Sequence, residues 1–186
     1  MNRRIEIILD NADVYFDIQP FTAITVCKDF NCGLPEYNDY LFRDALRSLY
    51  DHVAFTWLLT ELATGKTAAY MSLIMDAIKL SGAEKELHNL KYPFRTIPAM
   101  KIAKLAVNYS FSEKYKGIGT FMINSAEHLA WVCNSDYCAA RFLTVDADVE
   151  HDKGVIAFYQ KNGFLPNTEL FNKNRKTISM RKDLYS

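Results

Sequence analysis

Two glycines stand close together in the segment EKYKGIGTFMI, which covers residues 113–123 and otherwise begins an amphipathic helix. Glycine costs about 1 kcal/mol relative to alanine inside a helix, so Gly117 and Gly119 need a physical reason. The free backbone N–H groups at the start of a helix bind anions such as phosphate, and glycine allows a close approach. Lys114 and Lys116 add positive charge nearby. From the residues alone, a tight turn that leads into the helix explains the glycines equally well.

A second candidate for chemistry is Tyr159, in the segment AFYQKNGF. A phenol, with a pKa near 10, can donate a proton as a general acid. Its spacing alone favours a simpler role, the packing of an aromatic ring on a short helix. Four carboxylates could act as a general base, and His151 could relay protons, but no feature of the sequence selects one of them: Glu61, Asp76, Asp146 and Asp148.

The four cysteines fall into two pairs, Cys27 with Cys32 and Cys133 with Cys138. Both gaps are wider than the C-x-x-C of most zinc knuckles, and no histidine pair stands nearby at ligand spacing. The sequence therefore predicts reduced, structural cysteines and no metal site.

Length and composition favour one globular domain over residues 1–186. Hydrophobic residues make up 49% of the chain, and 22 basic residues balance 22 acidic ones. This balance gives no overall electrostatic reason to expect a nucleic acid or an anionic membrane as partner. The apolar run at 5–9 is too short for a secretion signal, and no stretch approaches the roughly 18 apolar residues of a membrane span. We therefore expect a cytoplasmic protein.

Periodicity and turn residues predict the elements that position these side chains. In order they are a helix after Pro35, a hairpin of strands 53–62 and 67–78, a strand in AMKIAKLAV, a helix from Ile118, a strand at 141–147, a helix that Asn162 and Gly163 close, and a final strand in KTISMRKDL. The third strand alternates with period two, which predicts a strand covered on both faces. We expect an α+β fold with a single central twisted mixed sheet and helices on both faces.

This order of elements resembles the GNAT superfamily of acyl-CoA-dependent N-acetyltransferases. The acyl-CoA loop of that family has the pattern Q/R-x-x-G-x-G/A, which Lys114, Gly117 and Gly119 match, with lysine in place of glutamine or arginine. The pattern F-x-C-G-x-x-x-x-N-D-Y-L-x-x-D-A-L at 30–46 looks like the opening of a bacterial branch that includes toxins acting on aminoacyl-tRNA. FLTVDA and FYQKNGF also look like segments of that branch.

The resemblance implies direct transfer of an acetyl group from acetyl-CoA to a primary amine, without a metal. In the family, the pantetheine pairs with the backbone of the strand that ends at Val107, and the pyrophosphate rests on the amides of the glycine loop. The N–H of Val107 would stabilise the oxyanion, and Tyr159 would protonate the leaving thiolate. The residues implied to contact acetyl-CoA are Leu105, Ala106, Val107, Lys114, Lys116, Gly117, Ile118, Gly119, Thr120 and Tyr159.

The resemblance does not identify the acceptor. We expect a small-molecule or protein amine, because neutral overall charge argues against tRNA and leaves only a scattered basic group of Lys79, Lys85, Lys91, Arg95 and Lys101. Two alternatives stay open: a toxin-like acetyltransferase of aminoacyl-tRNA, and a non-catalytic module that senses acyl-CoA. A homodimer is compatible with each interpretation, and an antitoxin partner belongs only to the toxin interpretation.

Overall fold

A computed structural model describes residues 15–25, 27, 29–167 and 176–186, so the apolar run at 5–9 lies outside the described residues. The strands are β1 (Phe16–Pro20), β2 (Phe55–Glu61), β3 (Thr67–Lys79), β4 (Thr96–Val107), β5 (Phe142–Asp148), β6 (Leu165–Pro166) and β7 (Thr177–Asp183). The helices are α1 (Pro35–Asp39), α2 (Ala45–Tyr50), α3 (Gly82–Leu87), α4 (Tyr109–Lys114), α5 (Ile118–Asp136) and α6 (Val155–Lys161). One π-helical turn, Tyr40–Asp44, joins α1 to α2.

The strands form one seven-stranded sheet in the order β1-β2-β3-β4-β5-β7-β6. The pairs β1–β2, β2–β3, β5–β7 and β6–β7 are antiparallel, whereas β4 and β5 are parallel. The predicted α+β class, the mixed sheet and the hairpin are thereby confirmed. The sequence analysis missed β1, β6 and α4, which are five, two and six residues long and too short to show a periodic pattern.

The parallel pairing of β4 with β5 stops well before β4 ends. Its register runs from Ala99 opposite Phe142 to Ile102 opposite Val145. The prediction that β4 is covered on both faces is wrong for its last part, because Ala103 is exposed while Leu105 and Val107 are only half-buried. Beyond Ile102, no residue of β4 pairs with β5.

The chain divides into two compact units. The first comprises Met1–Ile74 with Ala103–Asn124, and the second comprises Met75–Ile102 with Ser125–Ser186. The boundary crosses β3, β4 and α5 and does not follow a linker. The single domain over residues 1–186 stays a prediction.

In the first unit, the helical segment from α1 to α2 packs on β2 and β3. Pro35 begins the helix, where its missing N–H costs nothing. Leu41 and Ala45 are four residues apart, which places them on one helical face, and both are buried. These two side chains contact a core cluster that includes Leu58 and Tyr70. Leu41 and Ala45 thus lie on the face of the helix that is buried against the sheet.

The second unit combines an apolar core with buried ion pairs. Its core cluster consists of Ile78, Leu80, Leu90, Ile97, Ala99 and Phe142. A capping box of Ser81 and Glu84 begins α3, and the Glu84 carboxylate lies 2.8 Å from the Arg181 guanidinium, with both side chains nearly buried. The hydrogen bonds of the capping box satisfy backbone groups that the first turn of a helix otherwise leaves unpaired.

Candidate functional site

Asn108 joins β4 to α4 and satisfies several backbone groups at this junction. Its side-chain oxygen accepts a hydrogen bond from the N–H of Ser110, as an N-cap does. Its side-chain NH₂ donates to the carbonyl oxygens of Asp29 and Thr67, at 3.1 and 3.0 Å. The Asn108 side chain thereby holds the end of β4 and the first turn of α4 in place. Sequence reasoning missed this residue, although asparagine between a strand and a helix is an N-cap signal.

The end of β4 carries the backbone groups that the resemblance assigned to acetyl-CoA. The N–H of Asn108 donates to the carbonyl oxygen of Ala68, at 2.8 Å, and so points towards β3. Successive N–H groups of a strand point to opposite edges, so those of Val107 and Leu105 point away from β3. The ladder with β5 has already ended at Ile102. This part of the β4 edge can therefore accept an extended ligand as an added strand.

Gly117 has a positive φ of 90° directly before α5. A Cβ atom built at this position meets no atom within 4 Å, so the backbone conformation, and not crowding, explains why glycine stands here. The carbonyl of Gly117 accepts the first helical hydrogen bond, from the N–H of Phe121. Among the described residues, no acceptor contacts the N–H groups of Ile118, Gly119 and Thr120. The positive-φ turn at Gly117 therefore leads directly into the backbone N–H groups of residues 118–120 that lack an acceptor among the described residues.

The two lysines of the loop differ in their surroundings. Lys114 places its Nζ 4.8 Å from the centroid of the Tyr115 ring, and the phenol of Tyr115 raises the pKa of Lys114. Lys116 is exposed. Tyr115 is itself buried and packs edge-on against Phe16, so its ring fixes the loop to the core. Both lysines are exposed and precede the first turn of α5 by a few residues in the chain.

Tyr159 lies on α6 in the second unit and is only 6% exposed. Its ring packs edge-on against Phe158 and Phe164, with centroids 5.1 and 5.3 Å away. Gly163 ends the helix with a φ of 85°, as the Asn-Gly stop predicted. The packing role that the spacing favoured is therefore present.

The candidate bases all take part in polar contacts. Glu61 accepts a hydrogen bond from Thr64, Asp76 accepts one from Thr144, Asp146 pairs with Lys101, and Asp148 lies 2.8 Å from the His151 ring. The structure therefore selects none of them as a base.

Two features are absent from the residues that the structure describes. No three side chains of His, Cys, Asp and Glu are grouped so that they could hold a metal ion. No helix in the same ranges is both long and apolar enough to cross a membrane.

Solved structures share the fold of this chain at low sequence identity. No protein-family model matches the chain, and no curated protein matches its sequence. AtaT complexed with acetyl-methionyl-tRNAfMet is 20% identical and has a TM-score of 0.72, over 88% of this chain and 93% of that one. AtaTR bound with AcCoA is also 20% identical, with a TM-score of 0.69 over 89% and 93%.

A third similar structure is a tyrosine-to-phenylalanine mutant of KacT, which is 17% identical and has a TM-score of 0.72 over 89% of this chain and 94% of that one. The mixed seven-stranded sheet, with its parallel β4–β5 pair between antiparallel strands, agrees with these matches. The protein has the GNAT fold that its sequence resemblance predicted.

Proposed function

We propose that this protein is an N-acetyltransferase that moves the acetyl group of acetyl-CoA to a primary amine. One observation supports this most strongly: the amides of residues 118–120 lack acceptors among the described residues and follow a positive-φ glycine. This segment can bind a pyrophosphate through the N–H groups and the dipole of α5. The structure of AtaTR, which has the same fold, was determined with AcCoA bound.

In this proposal, the end of β4 orients the acetyl group. The backbone groups of Leu105 and Val107 at the unpaired edge bind the pantetheine, and Ala106 packs into the core below them. The N–H of Val107 donates a hydrogen bond to the carbonyl oxygen as the amine attacks and negative charge develops there. No side chain is required for this step, because the backbone supplies the donor.

Tyr159 supplies the proton that the leaving thiolate needs. The amine nitrogen forms a bond to the acetyl carbon, the carbon–sulfur bond breaks, and the phenol transfers its proton to sulfur. The amine loses one proton to solvent, and the phenolate takes up one proton from solvent, which restores the phenol. This assignment rests on the match of AFYQ to the acid position of the family.

Release of free CoA in the presence of candidate amines tests the proposed function. The matched set pairs each amine with its N-acetylated form, which has the same shape and lacks the nucleophile. We expect CoA release with at least one free amine and none with its acetylated partner. Tight binding of acetyl-CoA without turnover for any amine, including charged tRNA, would support the acyl-CoA-sensing module.

The amine of an aminoacyl-tRNA is the second candidate acceptor. It is favoured because AtaT, which has the same fold, was solved with acetyl-methionyl-tRNAfMet. The basic group that could bind tRNA is partly engaged, since Lys101 pairs with Asp146 and Lys85 donates to the carbonyl of Phe94. A tRNA acceptor would have to use the remaining cations, and an antitoxin partner would be expected only in this case.

A comparison of three tRNA forms separates the two acceptor classes. If aminoacyl-tRNA is the acceptor, the protein should release CoA from acetyl-CoA when charged tRNA is added. Deacylated tRNA and N-acetylated aminoacyl-tRNA should give no release. Because binding through phosphates releases counterions, turnover with tRNA should fall steeply as salt rises. Turnover of small amines or peptides with no activity on charged tRNA would support the first candidate.

A further inference from the structure

Two thiols at the C-terminal end of α5 lie in contact. The sulfur atoms of Cys133 and Cys138 are 3.2 Å apart, in the reduced state. Cys133 lies in the last turns of the helix and is half-buried, whereas Cys138 lies in the turn that follows and is exposed. A disulfide bond is about 2.05 Å long, so the two sulfur atoms need to approach each other by only about 1 Å.

The turn that carries Cys138 is held in place by hydrogen bonds from both sides. The N–H of Cys138 donates to the carbonyl oxygen of Cys133, at 2.9 Å. The side chain of Asn134 accepts from the N–H of Ala140 and donates to the carbonyl oxygen of the same residue. Asn134 also donates to the phenol of Tyr185, at 2.7 Å. These hydrogen bonds hold the backbone that carries Cys133 and Cys138 in the conformation in which the two thiols are in contact.

The other two cysteines have different surroundings. Cys27 is buried, and desolvation raises the pKa of its thiol to about 11. The thiol of Cys32 donates to the side-chain oxygen of Asn38, at 3.2 Å, and its pKa is also raised by burial. These two thiols serve as internal references within the same molecule.

We propose that Cys133 and Cys138 form a reversible oxidation site, which closes to an intramolecular disulfide when a small disulfide such as oxidised glutathione is present. The exposed thiolate of Cys138 attacks one sulfur of the oxidant and releases one reduced glutathione. Cys133 then attacks the Cys138 sulfur of this mixed disulfide, forms the protein disulfide and releases the second glutathione. Two cysteine thiols lose their hydrogens, and one oxidised glutathione gains both.

The order of the two steps follows from exposure and acidity. Cys138 is the accessible thiol, whereas burial and the neighbouring thiol of Cys138 raise the pKa of Cys133. A thiol that is less ionised and half-buried reacts slowly with an oxidant in solution but readily with a sulfur already in contact. Cys138 thus reacts first and Cys133 closes the ring.

Peptide mapping of the native protein after treatment with oxidised glutathione tests this inference. The protein is oxidised, quenched in acid, unfolded, alkylated and digested with trypsin. Cleavage after Lys116 and Arg141 places both cysteines in the peptide 117–141, while Cys27 and Cys32 fall in two other peptides. We expect the peptide 117–141 to lose two hydrogens and to resist alkylation, whereas Cys27 and Cys32 are alkylated. A reductant should reverse the change.

Two single variants test whether Cys133 and Cys138 form a disulfide together or whether Cys138 reacts alone because it is exposed. Cys133→Ser should accumulate a stable glutathione adduct on Cys138, because the resolving thiol is missing. Cys138→Ser should leave Cys133 as an alkylatable thiol, and Cys32→Ser, as the matched control, should oxidise like the wild type. The inference is overturned if the wild type keeps the glutathione adduct on Cys138, leaves all four thiols alkylatable, or links Cys27 to Cys32 at the same rate.

Discussion

Gly117 combines a positive φ with the position at which phosphate is proposed to bind. Acetyl-CoA should raise the free energy of unfolding of the wild type by about 2.7 kcal/mol at one hundred times its dissociation constant. In Gly117→Glu this increase should disappear, because the new carboxylate brings negative charge to the first turn of α5. Thermal unfolding with and without acetyl-CoA measures the difference.

Gly65 offers a matched control for the backbone strain in that variant. It has a φ of 70°, and a Cβ built there also meets no atom within 4 Å. Gly65→Glu should therefore carry a similar strain, of about 1–2 kcal/mol, yet keep the full response to acetyl-CoA. If Gly117→Glu folds and responds like the wild type, the phosphate site lies elsewhere.

Tyr159→Phe tests the proposed acid. The ring packing against Phe158 and Phe164 does not need the hydroxyl group, so the variant should fold and bind acetyl-CoA. Turnover should fall by roughly 10²–10⁴-fold if the phenol protonates the thiolate. Tyr70→Phe removes a buried hydroxyl group that donates to the carbonyl of Tyr37, and it should lower stability without this loss of turnover. If the chemical step is as fast in Tyr159→Phe as in the wild type, Tyr159 is not the acid and has only a packing role.

At the scale of elements, the junction of β4 and α4 depends on Asn108. Asn108→Ala removes the N-cap and leaves the carbonyl groups of Asp29 and Thr67 without this donor, so we expect a loss of about 2–3 kcal/mol. Urea unfolding measures it. Asn124→Ala, at an exposed position of α5, is the matched control and should cost nothing. Equal stability of the two variants would contradict the role of Asn108.

Asp183 links distant segments within the second unit. Its carboxylate accepts hydrogen bonds from Arg141 and His88, at 2.8 and 2.7 Å, and from the N–H of Tyr185. Burial alone would raise the pKa of Asp183, but these donors outweigh it and lower the pKa. Asp183→Asn should therefore reduce the free energy of unfolding at neutral pH, by roughly 1.5–3 kcal/mol.

The lowered pKa also sets the pH range in which Asp183 stabilises the protein. A depressed pKa in the folded state gives a contribution that is complete above the unfolded value of about 3.9 and is lost as pH falls through the folded value. The stability difference between wild type and Asp183→Asn should persist from neutral pH to about pH 5 and shrink below about pH 4. Urea unfolding over this range measures it, and a difference that already shrinks above pH 5 would contradict the assignment.

The sequence by itself determined the features that depend on residues close together in the chain. Period-two alternation predicted β4, the Asn-Gly stop predicted the end of α6, and the spacing of glycines predicted a special backbone before α5. Each of these depends on φ/ψ preferences or on side-chain periodicity within a few residues, so the chain encodes them locally. The GNAT fold was predicted from the resemblance of the element order and of several motifs to that family.

Tertiary structure decided the contacts between residues far apart in the chain. Asn108 meets Asp29 and Thr67, which are 79 and 41 residues away, and Asp183 meets His88, 95 residues away. The end of the β4–β5 ladder at Ile102 depends on how two strands are aligned, and neither strand records this in its own pattern. Local periodicity predicts that a strand forms. Whether its backbone edge is hydrogen-bonded depends on which strand lies beside it in the folded sheet.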